Sequence, residues 1–199
     1  WRSDGTEAGT MMIADLWPGI RESGYANSSY PEELIPFGGK LLLVARNAKG
    51  GELWSSDGTG AGTMPVKDIN LSPSSSSDNS EPEHSLVLED GGNDDDDLIV
   101  ASGDLAYFSA DDGTHGWELW ASDGSAVGTR LVRDIAEGSD SSYPREMTDL
   151  GGLLVFTADD RGVGGSRAEP EEVPSPGHGR ELWRSDGTAA GTFLLKDLQ

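Results

Sequence analysis

A ten-residue motif, W-x-S-D-G-[T/S]-x-[A/V]-G-T, occurs four times in this chain and constrains its fold more than any other feature. The copies begin at Trp1, Trp54, Trp120 and Trp183, and the final Thr stands nine positions after the Trp in each. Glu-Leu precedes the Trp in the three copies that have upstream sequence, and an Asp stands five positions after the final Thr. Four gapless copies predict a tandem-repeat fold.

Each repeat is predicted to contain four short antiparallel strands. Glu-Leu-Trp-x-Ser alternates like a strand, Asp-Gly is a turn pair, and a second strand follows. Further strands are predicted upstream, at 33–37, 41–45, 106–110, 146–150 and 154–158, with Gly-Gly turns at 38–39 and 151–152. The first strand of the middle repeat is either Ser85–Leu88 or Leu98–Ala101. Pro65 places its strand at a sheet edge, because proline has no amide to donate.

The strand before each complete motif is apolar on both of its faces. Leu43, Phe108 and Phe156 form one column, and Leu42, Tyr107 and Val155 form the column on the opposite face. A strand of this kind must be covered on both sides, so the sheets should stack face to face. We therefore expect a β-propeller-like array of four-stranded antiparallel blades in an incomplete ring. A β-solenoid is the alternative, although its parallel pairing suits these hairpins less well.

The repeats are spaced more widely than common propeller blades. Successive motif Trp residues are 53, 66 and 63 positions apart, against roughly 40–50 residues in common blades. Insertions at 73–83, 89–97 and 161–179 account for the excess. We expect one tandem-repeat domain over 1–199, with units at 1–16 (partial), 29–69, 84–135 and 142–198, and we interpret the chain as an internal piece of a longer protein.

The charge of the chain excludes several classes of partner. Its 36 acidic and 14 basic residues give a formal net charge of −22, and it has no cysteine. Nucleic acids and anionic membranes would be repelled, whereas proteins and neutral glycans remain possible partners. Disulfides and thiolate metal sites are excluded. No apolar run reaches the roughly 18 residues of a membrane span, so no membrane insertion is expected.

These motifs resemble the ELWxxDGT repeat family, and the resemblance covers essentially the whole chain. The Ser-Tyr-Pro segments at 29–31 and 142–144 and the segment 111–116 also fit the pattern. Ser125 in place of Thr, Arg46-Asn47 in place of Asp-Asp, and the insertions depart from it. The resemblance implies β-propeller-like repeats in large secreted or surface proteins, where other blades of the same chain would be partners. It supplies no catalytic residues and no cofactor.

Several acidic residues are candidates for binding a metal ion. The four adjacent carboxylates Asp94, Asp95, Asp96 and Asp97 form the candidate cation site, with Ca²⁺ as the possible ion. The motif aspartates Asp4, Asp57, Asp123 and Asp186 could also bind Ca²⁺, but a calcium loop concentrates several carboxylates. Turn capping is the favoured interpretation for these aspartates and for the pairs 111–112 and 159–160.

The remaining candidate residues give no catalytic constellation. His84, His115 and His178 do not have the spacing of metal ligands, and no nucleophile, phosphate-loop or zinc-protease motif occurs. The motif Trp residues are interpreted as packing between sheets rather than as a sugar-stacking surface. The sequons at Asn27 and Asn70 are weak indications of secretion.

We therefore expect a non-enzymatic extracellular or cell-surface module for assembly or adhesion, which binds proteins or glycans. A Ca²⁺-stabilised module and a propeller hydrolase or lyase with an axial site are the alternatives. In an up-and-down sheet, the motif loop and the Gly-Gly turn share one end. The insertions 73–83 and 161–179 lie at the other end, which we predict to be the recognition face. The acidic stretch 89–97 is expected at the same end as these two insertions if Leu98–Ala101 is the first strand of its unit.

Overall fold

The computed structural model describes residues 1–21, 24–71, 99–161 and 177–197, and their regular structure is entirely β. These residues form twelve strands and no helix, which confirms the expected all-β class. In chain order the strands are β1 Glu32–Phe37, β2 Lys40–Asn47, β3 Gly50–Ser56, β4 Met64–Lys67, β5 Ile99–Ser102, β6 Leu105–Asp111, β7 Trp117–Ser122, β8 Arg130–Arg133, β9 Arg145–Asp149, β10 Leu154–Asp159, β11 Arg180–Ser185 and β12 Phe193–Lys196. None of the described residues forms a helix with the length and hydropathy of a membrane span.

The strands make three four-stranded antiparallel sheets, which we call sheet I (β1–β4), sheet II (β5–β8) and sheet III (β9–β12). In each sheet, neighbouring strands are also consecutive in sequence. This antiparallel pairing disagrees with the parallel pairing of the solenoid alternative. None of the three described sheets closes on itself, and the propeller-like arrangement remains a prediction.

Two predictions about individual strands are tested by this topology. Strand β4, which contains Pro65, is an edge strand, as predicted. Strand β5 matches the prediction at Leu98–Ala101, while the other candidate, Ser85–Leu88, lies outside the described residues. The acidic stretch 89–97 therefore precedes the first strand of its sheet in the chain, although these residues also lie outside the described part.

The two central strands of every sheet pair the motif Trp with a large apolar residue. The pairs are Leu43 with Trp54, Phe108 with Trp120, and Phe156 with Trp183. Neighbouring residues on a strand point to opposite faces. Phe108 and Tyr107 are both buried, with 0% and 1% of their surfaces exposed, so β6 is covered on both faces as expected. Val155, at the equivalent place in sheet III, is only half-buried.

The chain forms two compact units, Trp1–Val87 and Leu88–Gln199. The first unit contains sheet I and a leading hairpin (1–16), in which Arg2 and Met11 exchange backbone hydrogen bonds of 2.9 and 3.0 Å. The hairpin residue Leu16 packs on a cluster of sheet I that includes Trp54. The motif Trp of sheet I is thus buried against the preceding repeat.

In the second unit, sheets II and III pack face to face through one apolar cluster. Sheet II contributes Tyr107, Leu119, Ala121 and Val132, and sheet III contributes Leu154, Phe156, Ala158 and Trp183. Burying a large apolar side chain contributes about 1.5–3 kcal/mol, so this cluster is the main source of stability for the sheet pair. Stacking of successive repeats is thereby confirmed for these two sheets.

Polar contacts fix the relative position of the two stacked sheets. The guanidinium of Arg130 donates to the backbone oxygen of Gly187 at 2.9 Å, and that of Arg133 donates to the oxygen of Thr192 at 2.6 Å. Arg133 also lies 5.8 Å from the ring centre of Trp183, within reach of a cation–π contact. The edge strand β8 therefore binds the motif loop of the next repeat.

Candidate functional site at the insertion-bearing end

The polar side chains of the motif bond to one another in all four copies. In the fourth copy, the amide and hydroxyl of Thr188 donate to Oδ1 of Asp186 at 2.9 and 2.7 Å. The Thr192 hydroxyl donates to the backbone oxygen of Thr188, so the hydroxyl of Ser185 must donate to Thr192. The remaining contacts join Gly187 N to Ser185 and Gly191 N to Thr188. The same six hydrogen bonds occur in the loops that begin at Ser3, Ser56 and Ser122.

The motif glycines are required by this network. Gly187 has φ = 85°, in the region that glycine tolerates best. A Cβ at Gly191 would overlap the Asp186 carboxylate, and the second glycine of every other copy meets its own motif Asp in the same way. Hydrogen bonds from the Thr188 side chain and amide lower the pKa of Asp186. The motif aspartates therefore cap the turn as ionised acceptors.

The loops between the second and third strands lie at the opposite end of each sheet, and so does the linker between sheets II and III. In the second unit this end is built from the β6–β7 loop, the β8–β9 linker and the base of the β10–β11 loop. The β6–β7 loop and the β8–β9 linker contact each other directly, because Trp117 N donates to Oγ of Ser141 at 3.0 Å. A Cβ at Gly116 would overlap the backbone of Asp140. The described part of this end therefore forms one packed surface.

An Asp–His pair closes the β6–β7 loop. Oδ1 of Asp112 accepts the amides of Thr114 and His115 at 2.9 and 3.0 Å, and Oδ2 lies 2.8 Å from Nδ1 of His115. Because a carboxylate can only accept, Nδ1 must carry the proton. Asp111, the first acid of the pair, accepts the amide of Gly113 at 2.7 Å. Both carboxylates cap this turn, as the favoured interpretation predicts.

The same pair recurs in the β10–β11 loop, which carries the 161–179 insertion. Asp160 and His178 are 18 positions apart, whereas Asp112 and His115 are three apart. The distance between Oδ2 and Nδ1 is nevertheless 2.7 Å, and the His178 amide donates to Oδ1 at 2.6 Å. The base of the β10–β11 loop thus has the same Asp–His pair as the uninterrupted β6–β7 loop.

Each Asp–His pair shifts the pKa values of its members in opposite directions. The hydrogen bond from Asp112 raises the pKa of His115 above its ordinary value, and Asp160 does the same for His178. Burial acts to raise the pKa of Asp112, but its hydrogen bonds with His115 and Thr114 outweigh burial and lower it. Each pair therefore keeps its ion-paired state over a wider pH range than the two free side chains would.

A buried carboxylate holds the linker that joins sheets II and III. Oε1 and Oε2 of Glu118 accept the amides of Ile135, Ala136 and Ser142 at 3.0–3.1 Å, and the hydroxyl of Ser142 at 2.7 Å. Burial raises the pKa of Glu118 to about 7, against the lowering effect of these donors. Glu118 thus connects β7, the third strand of sheet II, to the β8–β9 linker that leads into sheet III.

The residues after Ser142 have an unusual backbone conformation that recurs in another repeat. Tyr143 and Glu146 have φ values of 45° and 53°, and Tyr30 and Glu33 have φ values of 40° and 50°. Left-handed conformations are uncommon outside glycine, and surrounding contacts must hold them. Here they redirect the linker into β9 immediately after Ser142 has bonded to Glu118.

Some predicted site residues lie outside the described part of the chain, and the others make separate local contacts. The candidate cation site Asp94–Asp97 lies outside the described residues, as does His84. Within the described ranges, no three His, Cys, Asp or Glu side chains converge to hold a metal ion. The sequon residue Asn70 is buried, whereas Asn27 is half-buried and its side-chain amide donates to the backbone oxygen of Pro18 at 3.1 Å.

The motif Trp residues of the sheets are packing residues. Trp54, Trp120 and Trp183 are all buried, which leaves no sugar-stacking surface on these three rings, whereas Trp1 is exposed. Trp54 and Trp183 lie in the two apolar clusters, which supports their interpretation as packing residues.

The buried glutamates and the Asp–His pairs are the residues that sequence reasoning missed. The repeated Glu-Leu before the motif Trp gives Glu52, Glu118 and Glu181, and all three are buried. Their recurrence at one repeat position was the available signal, because a glutamate on a buried strand is rarely tolerated without partners.

Comparison with protein-family models, curated proteins and solved structures gave no match to this chain. The resemblance to the ELWxxDGT repeats therefore remains a prediction.

Proposed function

We propose that this chain is a non-enzymatic binding module that presents the insertion-bearing end of stacked repeats to a protein or glycan partner. The observation that carries the proposal is the Asp160–His178 pair, which matches Asp112–His115 although an insertion separates its members. A loop base that tolerates an insertion can carry variable recognition segments on a constant scaffold. The polar motif residues, by contrast, bond to one another.

The wider setting of this proposal is a β-propeller-like array of ELWxxDGT-type repeats, which acts outside the cell or at its surface. The face-to-face packing of sheets II and III supports the array. The net charge of −22 supports partners that are neutral or basic and disfavours nucleic acid.

Replacing residues 161–177 by Gly-Thr tests the proposal, because it recreates in sheet III the short loop found at Asp112–His115. Binding would be measured on a glycan array and by pull-down with candidate proteins, and folding by thermal melting. We expect an unchanged melting temperature and loss of binding. Val127→Ser, an exposed change in a motif loop at the other end of the sheet, is the control and should bind normally.

Two results would contradict the proposal. One is equal binding by the shortened and original chains, which would locate recognition elsewhere. The other is binding that never exceeds background for either chain. A shortened chain that melts much earlier would show that the insertion supports the fold rather than recognition.

A further inference from the structure

A carboxylate and a hydroxyl at the β8–β9 linker can form two hydrogen-bond patterns without any movement of heavy atoms. Glu118 is fully buried, and its Oε2 lies 2.7 Å from Oγ of Ser142. The same Oγ lies 3.3 Å from the backbone oxygen of Trp117. While Glu118 is ionised, the Ser142 hydroxyl must donate to Oε2, because a carboxylate can only accept. When Oε2 carries a proton, the acid can donate to Oγ, and the Ser142 hydroxyl turns to the Trp117 oxygen.

The other contacts of this carboxylate are kept in both patterns. Oε1 accepts the amides of Ala136 and Ser142, and the amide of Ile135 donates to Oε2, which retains a lone pair when it is protonated. The Trp117 oxygen has two lone pairs, which can accept the Tyr143 amide and the Ser142 hydroxyl together. A proton taken up from water therefore breaks none of these contacts, and it removes the cost of a buried charge.

The linker binds this proton more tightly when it is closed than when it is open. Burial raises the pKa of Glu118 to about 7, against the lowering effect of its donors, whereas the ordinary value is 4.5. Local opening of the linker would place the carboxylate in water and return its pKa towards the ordinary value. By linkage, the stabilisation of the closed linker is complete below pH 4.5 and is lost as pH rises through about 7.

Charged groups on several elements face this part of the chain. Repulsion from Asp134 adds to the effect of burial on the pKa of Glu118, whereas a protonated His115 favours the ionised carboxylate. The pKa of His115 is also raised, chiefly by its hydrogen bond with Asp112, so the folded chain holds this proton more tightly as well. The charged groups beside the linker are Asp134, Glu137 and Asp140 on the linker itself, Asp112 and His115 on the β6–β7 loop, and Asp159, Arg161 and Arg180 in sheet III.

The beginning of the linker takes part in the packing between sheets II and III. Ile135 and Ala136 are 5% and 1% exposed, and Ile135 belongs to the apolar cluster that joins the two sheets. We propose that the β8–β9 linker is a pH-sensitive connection, which holds the two sheets more tightly when Glu118 takes up a proton and Ser142 turns its hydroxyl to Trp117. The connection would act whether or not the 161–179 insertion binds a partner.

Amide hydrogen exchange of the whole chain, followed by nuclear magnetic resonance, tests this proposal. The readout is the protection factor of the Ala136 amide, which is corrected for the pH dependence of intrinsic exchange and reports local opening. We expect this factor to be at least about tenfold higher at about pH 5 than at about pH 8. Glu118→Gln has no carboxylate to titrate at this position, so the pH dependence should disappear. Glu137→Gln is the matched control, because it removes an exposed carboxylate from the same linker and should respond like the original chain.

Two further measurements separate Glu118 from the neighbouring histidine. His115→Gln should keep the pH response of the Ala136 amide, because the titrating carboxylate is still present. At about pH 6, exposed carboxylates are ionised. The infrared difference spectrum between the original chain and Glu118→Gln should then contain the C=O band of one protonated carboxylic acid.

Three results would overturn the proposal. The first is an Ala136 protection factor in the original chain that is equal at the two pH values or greater at the higher one, and this result needs no variant to fold. The second is an unchanged pH response in Glu118→Gln, which would assign the response to other groups. The third is loss of the response in His115→Gln, which would assign the proton to the imidazole.

Discussion

At the residue scale, the conserved chemistry of the motif is a closed set of hydrogen bonds. Every polar side chain of the turn is hydrogen-bonded to another polar side chain of the same motif copy. The second glycine leaves room for the Asp carboxylate. The turn positions of Asp and the first glycine were predictable from local backbone chemistry. The pairing of Ser185 with Thr192, seven positions apart, was not, because the motif gives no local preference for it.

The four copies allow one substitution to be compared in two environments. Thr192 is fully buried and Thr10 is exposed, although both hydroxyls make equivalent bonds. We expect Thr192→Val to lower the free energy of unfolding by about 1–3 kcal/mol, because it leaves buried polar partners unsatisfied. Thr10→Val should cost less than about 1 kcal/mol, since water replaces the lost bonds. Urea denaturation measures both, and equal small losses would contradict a stabilising role for the network.

The Asp–His pairs predict a pH dependence of stability. Because the folded-state pKa values of His115 and His178 are raised, their contribution is complete below the ordinary pKa of 6.5 and is lost as pH rises through the folded value. The lowered pKa values of Asp112 and Asp160 give a contribution that is lost as pH falls through their folded values.

Nuclear magnetic resonance titration of the imidazole signals tests this dependence. Both histidines should titrate above 6.5, and Asp112→Asn should return His115, but not His178, towards that value. A His115 signal that titrates at or below 6.5 in the original chain would rule out the pair in solution.

At the element scale, strand positions were largely predictable, and the contacts that join strands of different repeats were not. Alternating apolar residues located the central strands, and Pro65 identified an edge. Glu118 could not be assigned a role from its strand, because its partners lie 17 to 24 positions later in a linker without regular structure. A buried acceptor and its distant donors leave no periodic signal.

Removing one donor from Glu118 tests its role in the linker. Ser142→Ala deletes the 2.7 Å hydroxyl contact and should raise the pKa of Glu118 further above 7. The free energy of unfolding should fall by about 1–3 kcal/mol above pH 7, where the carboxylate is ionised, and by less near about pH 5. Chemical denaturation at several pH values measures this change.

Ser141→Ala is the matched control, because the Ser141 hydroxyl accepts from Trp117 N and makes no bond to Glu118. The decrease in the free energy of unfolding caused by Ser141→Ala should not vary with pH in this range. If both variants respond to pH alike, the linker is not held by the Glu118 carboxylate.

At the scale of the whole molecule, two apolar columns on one strand were enough to predict stacked sheets. Tyr107 and Phe156 fulfil this prediction within the second unit. The division into two compact units has no signal in the sequence, because four similar repeats mark no boundary between them. The hydrogen-bonded pair of Asp160 and His178 was not predicted either, because an insertion removes the short spacing that marks the pair at Asp112 and His115.

Hydroxyl-radical footprinting of the native chain tests whether the middle strand of a repeat is covered on both faces. Tyr107 and Phe108 lie side by side on opposite faces of β6 and are almost fully buried, while Tyr25 is 76% exposed. We expect rapid labelling of Tyr25 and strong protection of both β6 residues. Labelling of either Tyr107 or Phe108 at a rate close to that of Tyr25 would contradict it.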